Sequence, residues 1–245
     1  ISQPPLVQDI DACGLQCPGP ILRVKNEIAK IQDGEALRIS ATDPGFVSDI
    51  RAWCKSTGHE LLELKPGDGK YQATIVKRAA PVPPASADYS KKKTIVVFSS
   101  DFDKVMAAFV IANGALAMGS EVTLCFTFWG LNVLRKPQSG PVKKNLIEAM
   151  FGFMMPRGAE KLSLSKMNMG GMGLQMIKGI MKQKNVASLT ELIMNARAAG
   201  AKLVACAMSM HLMGIKKEEL IDGVETGGVA MYLENAQNGN VNLFI

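Results

Sequence analysis

The chain has 245 residues, 47% of them hydrophobic and 20% charged, which is enough for one large domain or two ordinary ones with real cores. The formal net charge of +6 lies wholly after residue 78, where eighteen Lys and Arg face twelve Asp and Glu. Only Lys91, Lys92 and Lys93 form a run, and no aromatic residues interleave it, so the composition argues against nucleic-acid binding. In chain order, the hydrophobic pattern predicts a strand over 6–10, a helix over 18–31 and a strand over 35–42. A helix over 44–56 follows, with Asp43 as N-cap, Pro44 as its first residue, and Phe46, Val47, Ile50, Trp53 and Cys54 on one buried face. Strands over 59–65 and 70–77, joined by the turn Pro66-Gly67-Asp68-Gly69, complete a βαβαββ two-layer sandwich over residues 1–78.

Residues 79–91 open with "AAPVPPASADYS", rich in Pro, Ala and Ser without hydrophobic periodicity, and read as a linker. Beyond it, over 92–245, "KTIVVFSS" is a β-branched run, "VMAAFVIANGALAMG" an apolar helix and "EVTLCFTF" a second strand, the opening of a doubly wound parallel-sheet α/β domain. Helix 188–199, strand 202–207, helix 209–221, a helix near 227–238 and a strand over 241–244 continue it. Between them lies a Met-rich insertion near 150–182; twelve of the fifteen methionines fall between Met150 and Met213. Its segment "KMNMGGMGLQMIKG" lacks the phosphate-loop pattern and reads as a mobile, Met-lined loop, suited to core packing, to a lid or to docking.

The apolar stretches 105–119 and 203–215 are broken by Asn113, Ser209 and His211 and fall short of the roughly 20 residues that span a bilayer. Five cysteines, an odd number with no secretory signal before them, argue against a disulfide framework and for the cytoplasm. A first residue of Ile rather than Met reads as a processed product or an excised piece of a longer chain. No cysteine and histidine cluster has zinc spacing, and no G-x-G-x-x-G follows a strand, so neither metal nor flavin nor nicotinamide cofactor is expected.

The chemistry sits in the cysteines. In "DACGLQCPGP" Pro18 suits the first helical position, so Cys17 is expected as N-cap, its sulfur facing free amides and the positive end of the helix dipole as a nucleophilic thiolate. Gly14 supplies a turn toward it and Gly19 leaves the sulfur uncrowded. Cys13 pairs with Cys17 in a disulfide or merely packs; the spacing leaves both open. Cys54 faces the core. Cys206 ends a strand in "KLVACAMSMHLMG", before a helix that Ser209 is positioned to cap, at the sheet edge where reacting groups gather in open α/β folds. Cys125, also at a strand end, reads as a packed neutral thiol or a binding position.

Residues 9–77, with Asp11-x-x-Gly14-x-x-Cys17-Pro18-x-Pro20 and "TDPGFVSDIRAWCKSTGHEL" at 42–61, resemble the TusA-like (SirA-like) sulfur-carrier family. That resemblance implies that Cys17 carries sulfane sulfur as a persulfide. Residues 92–245, with "CFTFWGL" at 125–131 and "CAMSMHLMG" at 206–214, resemble the DsrE-like sulfur-relay family, which implies that Cys206 handles sulfur and that the chain self-associates; no acid–base role carries over to His211. The order of the two domains is similar to the tail of proteins that join a coenzyme A-disulfide-reductase-like flavoprotein to a rhodanese. The resemblances imply a sulfane-sulfur carrier and transferase relaying through Cys17 and Cys206, with a rhodanese or small persulfide as donor and a flavin disulfide reductase upstream. Two other readings stand beside it: a Cys13–Cys17 dithiol/disulfide redox module, and a partner-docking regulatory module.

Overall fold

The computed structural model describes residues 4–43, 45–67, 69–79, 91–138, 142, 144, 146–237 and 239–245. Pro44, Asp68 of the expected turn and nearly all of the expected linker lie outside the described residues. The chain divides into two compact units, each with its own sheet.

The first unit runs β1 (Leu6–Ala12), α1 (Gly19–Ile28), β2 (Ala36–Ala41), α2 (Phe46–Thr57), β3 (Glu60–Pro66) and β4 (Tyr71–Val76). The sheet order is β1-β2-β4-β3, with β1 parallel to β2 and β4 antiparallel to both its neighbours, so the βαβαββ sandwich stands. Leu37 and Ile39 on the central β2 pack with Val24 and Ile28 of α1 and with Phe46, Ile50, Trp53 and Cys54 of α2. Each such large apolar side chain contributes roughly 1.5–3 kcal/mol by leaving water. Of the expected helix face, Val47 alone is only half-buried. The N-cap of α2 is Gly45, not Asp43, whose Oδ1 instead accepts the Gly45 amide at 3.4 Å. Gly58, at φ +78, ends the helix by donating its amide to the Cys54 carbonyl, a left-handed cap that glycine adopts without strain.

After residue 90 the chain runs β5 (Lys92–Val97), α3 (Phe102–Ala117), β6 (Glu121–Phe126), a 3₁₀ segment over Phe128–Leu134, α4 (Leu146–Met154), α5 (Met172–Gln183), α6 (Leu189–Ala198), β7 (Lys202–Cys206), α7 (Ala207–Leu212), β8 (Glu225–Gly227), α8 (Val229–Gln237) and β9 (Gly239–Phe244), all in the second unit except Ala117–Gly119 and Gly179–Ala187, which belong to the first. The sheet of the second unit, β8-β7-β6-β5-β9, is parallel throughout. The chain winds outward from β5 to β8 and returns to the far side of β5, a mixed α/β arrangement with the order reversal of doubly wound folds. Continuous burial of Ile95, Val97, Leu124 and Phe126 fits strands covered on both faces.

Two elements differ from expectation. The helix expected over 209–221 is only α7. Ile215 donates to the Met210 carbonyl and Gly214 to that of His211, a Schellman stop with Gly214 at φ +63, and β8 follows where no strand was expected. The Met-rich insertion is not a bare loop, since α4 and α5 flank a short 3₁₀ turn at Met169–Gly171. There Met167 and Met169 hold positive φ, and a Cβ at Gly173 would lie 1.9 Å from the Met167 carbonyl oxygen.

Candidate functional site

In the first unit, helix α1 begins at Gly19 with Pro18 as its N-cap, so Cys17 lies one residue outside the cap position expected for it. Gly19 also serves a different end: a Cβ there would meet the Leu15 side chain at 3.1 Å, so it admits close packing rather than access to sulfur. Gly14 does turn the chain, at φ +81, its amide bonded to Thr42 Oγ1 at 2.7 Å. What surrounds the Cys17 thiol is negative. Its pKa is pushed up to about 11, by desolvation first, then by the charges of Asp49 and Asp43 and by the hydrogen bond it donates to Asp49. Cys17 is nonetheless exposed, so the two carboxylates are the firmer part of that shift. Where a dipole-stabilised thiolate was expected, the nearest charges, Asp49 and Asp43, favour the thiol.

The two carboxylates converge. From the Cβ position of Gly45, Asp43 Oδ2 lies at 3.5 Å and Asp49 Oδ2 at 3.7 Å, a space open only because residue 45 is glycine. Asp43 is buried, and its Oδ2 has no hydrogen-bond partner among the described residues. Desolvation and the Asp43 charge raise the pKa of Asp49, against the Cys17 hydrogen bond that lowers it.

Cys206 occupies the opposite environment. It ends β7 and is itself the N-cap of α7, displacing Ser209 from the capping role expected for it. Ser209 is wholly buried, and its hydroxyl lies 2.8 Å from Thr127 Oγ1, just past the end of β6. Whichever hydroxyl donates to the other, one hydrogen is left for the sulfur. Burial works against the thiolate here too, but the hydroxyl and amide of Ser209, the hydroxyl of Thr127 and the amide of Met208 outweigh it and hold the thiol below its ordinary range. The amides do not reach cap hydrogen-bond geometry, so their effect on the sulfur is through their dipoles.

The segment that carries Thr127 is tightly built. Phe128 takes φ +46, and Gly130 donates to the Phe98 carbonyl at 2.8 Å; a Cβ on Gly130 would sit 2.0 Å from the Val97 carbonyl oxygen. Cys125 lies on β6 beside Val204 of β7. Burial, then the nearby charge of Cys206, pushes its thiol up to about 11.

Cys13 is a free thiol engaged with Asp11, whose Oδ1 also accepts the Cys13 amide at 2.9 Å; its pKa is raised by desolvation and then by Asp11. Cys54 is buried in the core, its thiol pushed up to about 12 by desolvation. Among the described residues no three His, Cys, Asp or Glu side chains gather as metal ligands. The sequence did not single out Thr127, Asp49 or the hydroxyl contact of Ser209 beside Cys206. The signals were present in "CFTFWGL", where a hydroxyl residue follows a buried strand, and in "TDPGFVSDI", with acids at 43 and 49.

The description DsrE/DsrF/DrsH-like family matches residues 90–244, and Sulfurtransferase TusA matches residues 8–77. The chain therefore belongs to the DsrE/DsrF/DrsH-like family, with a TusA domain fused ahead of that region. YrkE of Bacillus subtilis (strain 168) is 56% identical over 158 residues, covering 64% of this chain and 99% of YrkE. The sulfur carrier protein DsrE2 of Allochromatium vinosum is 37% identical over 162 residues, covering 63% of this chain and 98% of that protein. The sulfur carrier protein TusA of the same organism is 47% identical over 70 residues, covering 29% of this chain and 92% of its own. A solved structure, the ychN protein of E. coli, matches 63% of this chain and 99% of its own at 12% identity and a TM-score of 0.37, a likeness too slight to carry fold or function. Among the described residues no helix is long and apolar enough to cross a membrane.

Proposed function

We propose that this chain is a sulfane-sulfur carrier and transferase that uses Cys206 as its nucleophilic thiolate and Cys17 as a second carrier. The observation that carries the reading is the Thr127–Ser209 hydroxyl pair beside Cys206, which favours the anion in a half-buried site. Membership of families whose relatives are named sulfur carriers supports it. In the transfer, the Cys206 thiolate attacks the terminal sulfur of a donor persulfide, R–S–SH. The donor S–S bond breaks, R–S⁻ leaves and takes up a proton, and Cys206 holds the sulfur as Cys–S–SH, with no external oxidant or reductant.

Cys17 follows the same chemistry with one added step. Its thiol must first give up a proton, and the Asp49 carboxylate that accepts its hydrogen bond, with a raised pKa, is the group suited to take it. The donor class we assign is a rhodanese-type or small-molecule persulfide, with a flavin disulfide reductase as the partner that consumes the relayed sulfur.

Mass spectrometry of the reduced chain after incubation with polysulfide tests this. We expect one added sulfur on Cys206 and one on Cys17, each lost with its own Ser substitution, and loading that survives Cys13→Ser. Sulfur on neither cysteine, with a readily formed Cys13–Cys17 disulfide, would overturn the reading in favour of a redox module.

A further inference from the structure

A cavity of about 1100 Å³ in the second unit involves none of the cysteines. Its charged wall is built on Glu219, 1% exposed and surrounded by cations. Arg135 Nη2 lies at 3.2 Å and Lys144 Nζ at 2.5 Å, both buried, and Arg157 Nη2 at 3.5 Å from a third of its side chain in solvent. Even leaving Arg157 aside, two buried cations face one carboxylate. Among the described residues Glu219 is the carboxylate these two cations share, and a buried pair of cations on one carboxylate favours a further anion. Lys144 Nζ lacks a hydrogen-bonding partner of good geometry among the described residues, and Lys144 lines the cavity. Arg157 and Lys161 line it as well.

A second, independent feature opens this wall. Gly152 lies in the interior of α4, where glycine costs about 1 kcal/mol relative to Ala. A Cβ there would fall 3.2 Å from Lys144 Nζ and 3.7 Å from Arg135 Nη2, so glycine leaves the cations reachable from the cavity. Phe153, Met154, Met155 and Pro156 also line the cavity, with the Phe153 and Met154 side chains exposed at it.

We infer that this cavity binds a phosphomonoester with an apolar body, the phosphate on Lys144 and Arg157 and the body along Phe153 and Met154. The apolar lining beside the cations gives a ligand body a place that an inorganic anion would leave unused. A free metabolite and a lipid headgroup share this chemistry. The inference stands apart from the sulfur-relay reading.

Calorimetric titration of the full chain with hexyl phosphate and with inorganic phosphate tests the inference, alongside sedimentation with phosphatidylcholine vesicles with and without phosphatidic acid. We expect hexyl phosphate to bind more tightly than inorganic phosphate, and Lys144→Met and Gly152→Ala each to weaken it by about tenfold, equivalent to about 1.4 kcal/mol. Gly152→Ala is the decisive variant, because alanine favours the helix and only the flexible end of Lys144 need move to admit it. Sedimentation that requires phosphatidic acid and Lys144 would identify the lipid as the source; its absence beside hexyl phosphate binding would identify a free phosphomonoester. Hexyl phosphate affinity unchanged in both variants, or no binding of either probe, would overturn the site.

Discussion

A thiol's reactivity is set within a few ångströms of its sulfur, and here two cysteines of similar sequence setting receive opposite treatment. Cys206 has hydroxyls and amide dipoles around it, Cys17 has Asp43 and Asp49. A hydrogen bond to a charged group contributes about 1.5–3 kcal/mol, and about 1.4 kcal/mol moves a pKa by one unit. Ser209→Ala or Thr127→Val should therefore raise the Cys206 pKa and slow its alkylation by iodoacetamide at neutral pH by up to roughly tenfold. Following the alkylation rate of Cys206 across pH by peptide mass spectrometry checks the shift; an unmoved profile would remove the hydroxyl pair from the chemistry. At Cys17 the sign reverses. Asp49→Asn deletes a negative charge and replaces one carboxylate oxygen by an amide donor, so the pKa should fall from about 11 and neutral-pH alkylation should accelerate. The cysteines themselves were legible in the sequence because a thiol's chemistry is written in its own side chain. The environments were not, because Thr127 reaches Ser209 across a sequence separation of 82 residues and Asp49 arrives on a different helix.

At the scale of elements, the readable segments were those in which local preference and burial agree. The β-branched runs became β5 and β6, and the apolar face of α2 became core. Helix α6 carries its own start signal: Ser188 accepts the Glu191 amide, and Glu191 accepts the Ser188 amide at 2.7 Å. Ser188→Ala should cost about 1 kcal/mol of stability, measurable by denaturant unfolding. Helix α7 was misjudged in length because its stop depends on Gly214, where a Cβ would meet the Glu148 side chain at 2.6 Å. A tertiary close approach of that kind leaves no periodic trace. Gly130 is the same case with a functional stake, since it seats the segment that carries Thr127 against the end of β5. In Gly130→Ala the new methyl cannot fit beside the Val97 carbonyl without moving backbone, at a cost of about 1–3 kcal/mol. The same variant should lose part of the lowered Cys206 pKa, which separates displacement of Thr127 from mere loss of stability.

At the scale of the whole molecule, the two units have separate sheets, and relatives correspond to each part alone: TusA of Allochromatium vinosum matches over 92% of its length and DsrE2 over 98%. Two unfolding transitions are therefore expected in calorimetry, and acid should separate them. In the second unit Glu219 is buried; desolvation opposes its charge, but Lys144, the Lys216 amide and Arg135 hold its pKa below the ordinary value of 4.5. A carboxyl depressed on folding stabilises the native state above its unfolded pKa, and that contribution disappears as pH falls through the folded value. In the first unit Glu27 and Asp11 are also held low, but Asp49 is shifted the other way, so its contribution is present at low pH and lost as pH rises through its raised value, offsetting part of their loss in acid. Lowering the pH below 4.5 should thus reduce the melting temperature of the second unit more than that of the first. Glu219→Gln identifies the group responsible. At neutral pH it should destabilise the second unit by about 3–5 kcal/mol, because Arg135 and Lys144 lose their buried counter-charge. In acid the wild-type carboxyl is itself neutralised, so the second transitions of wild type and variant should converge. Parallel curves at all pH values would show that Glu219 is not the group through which acid acts.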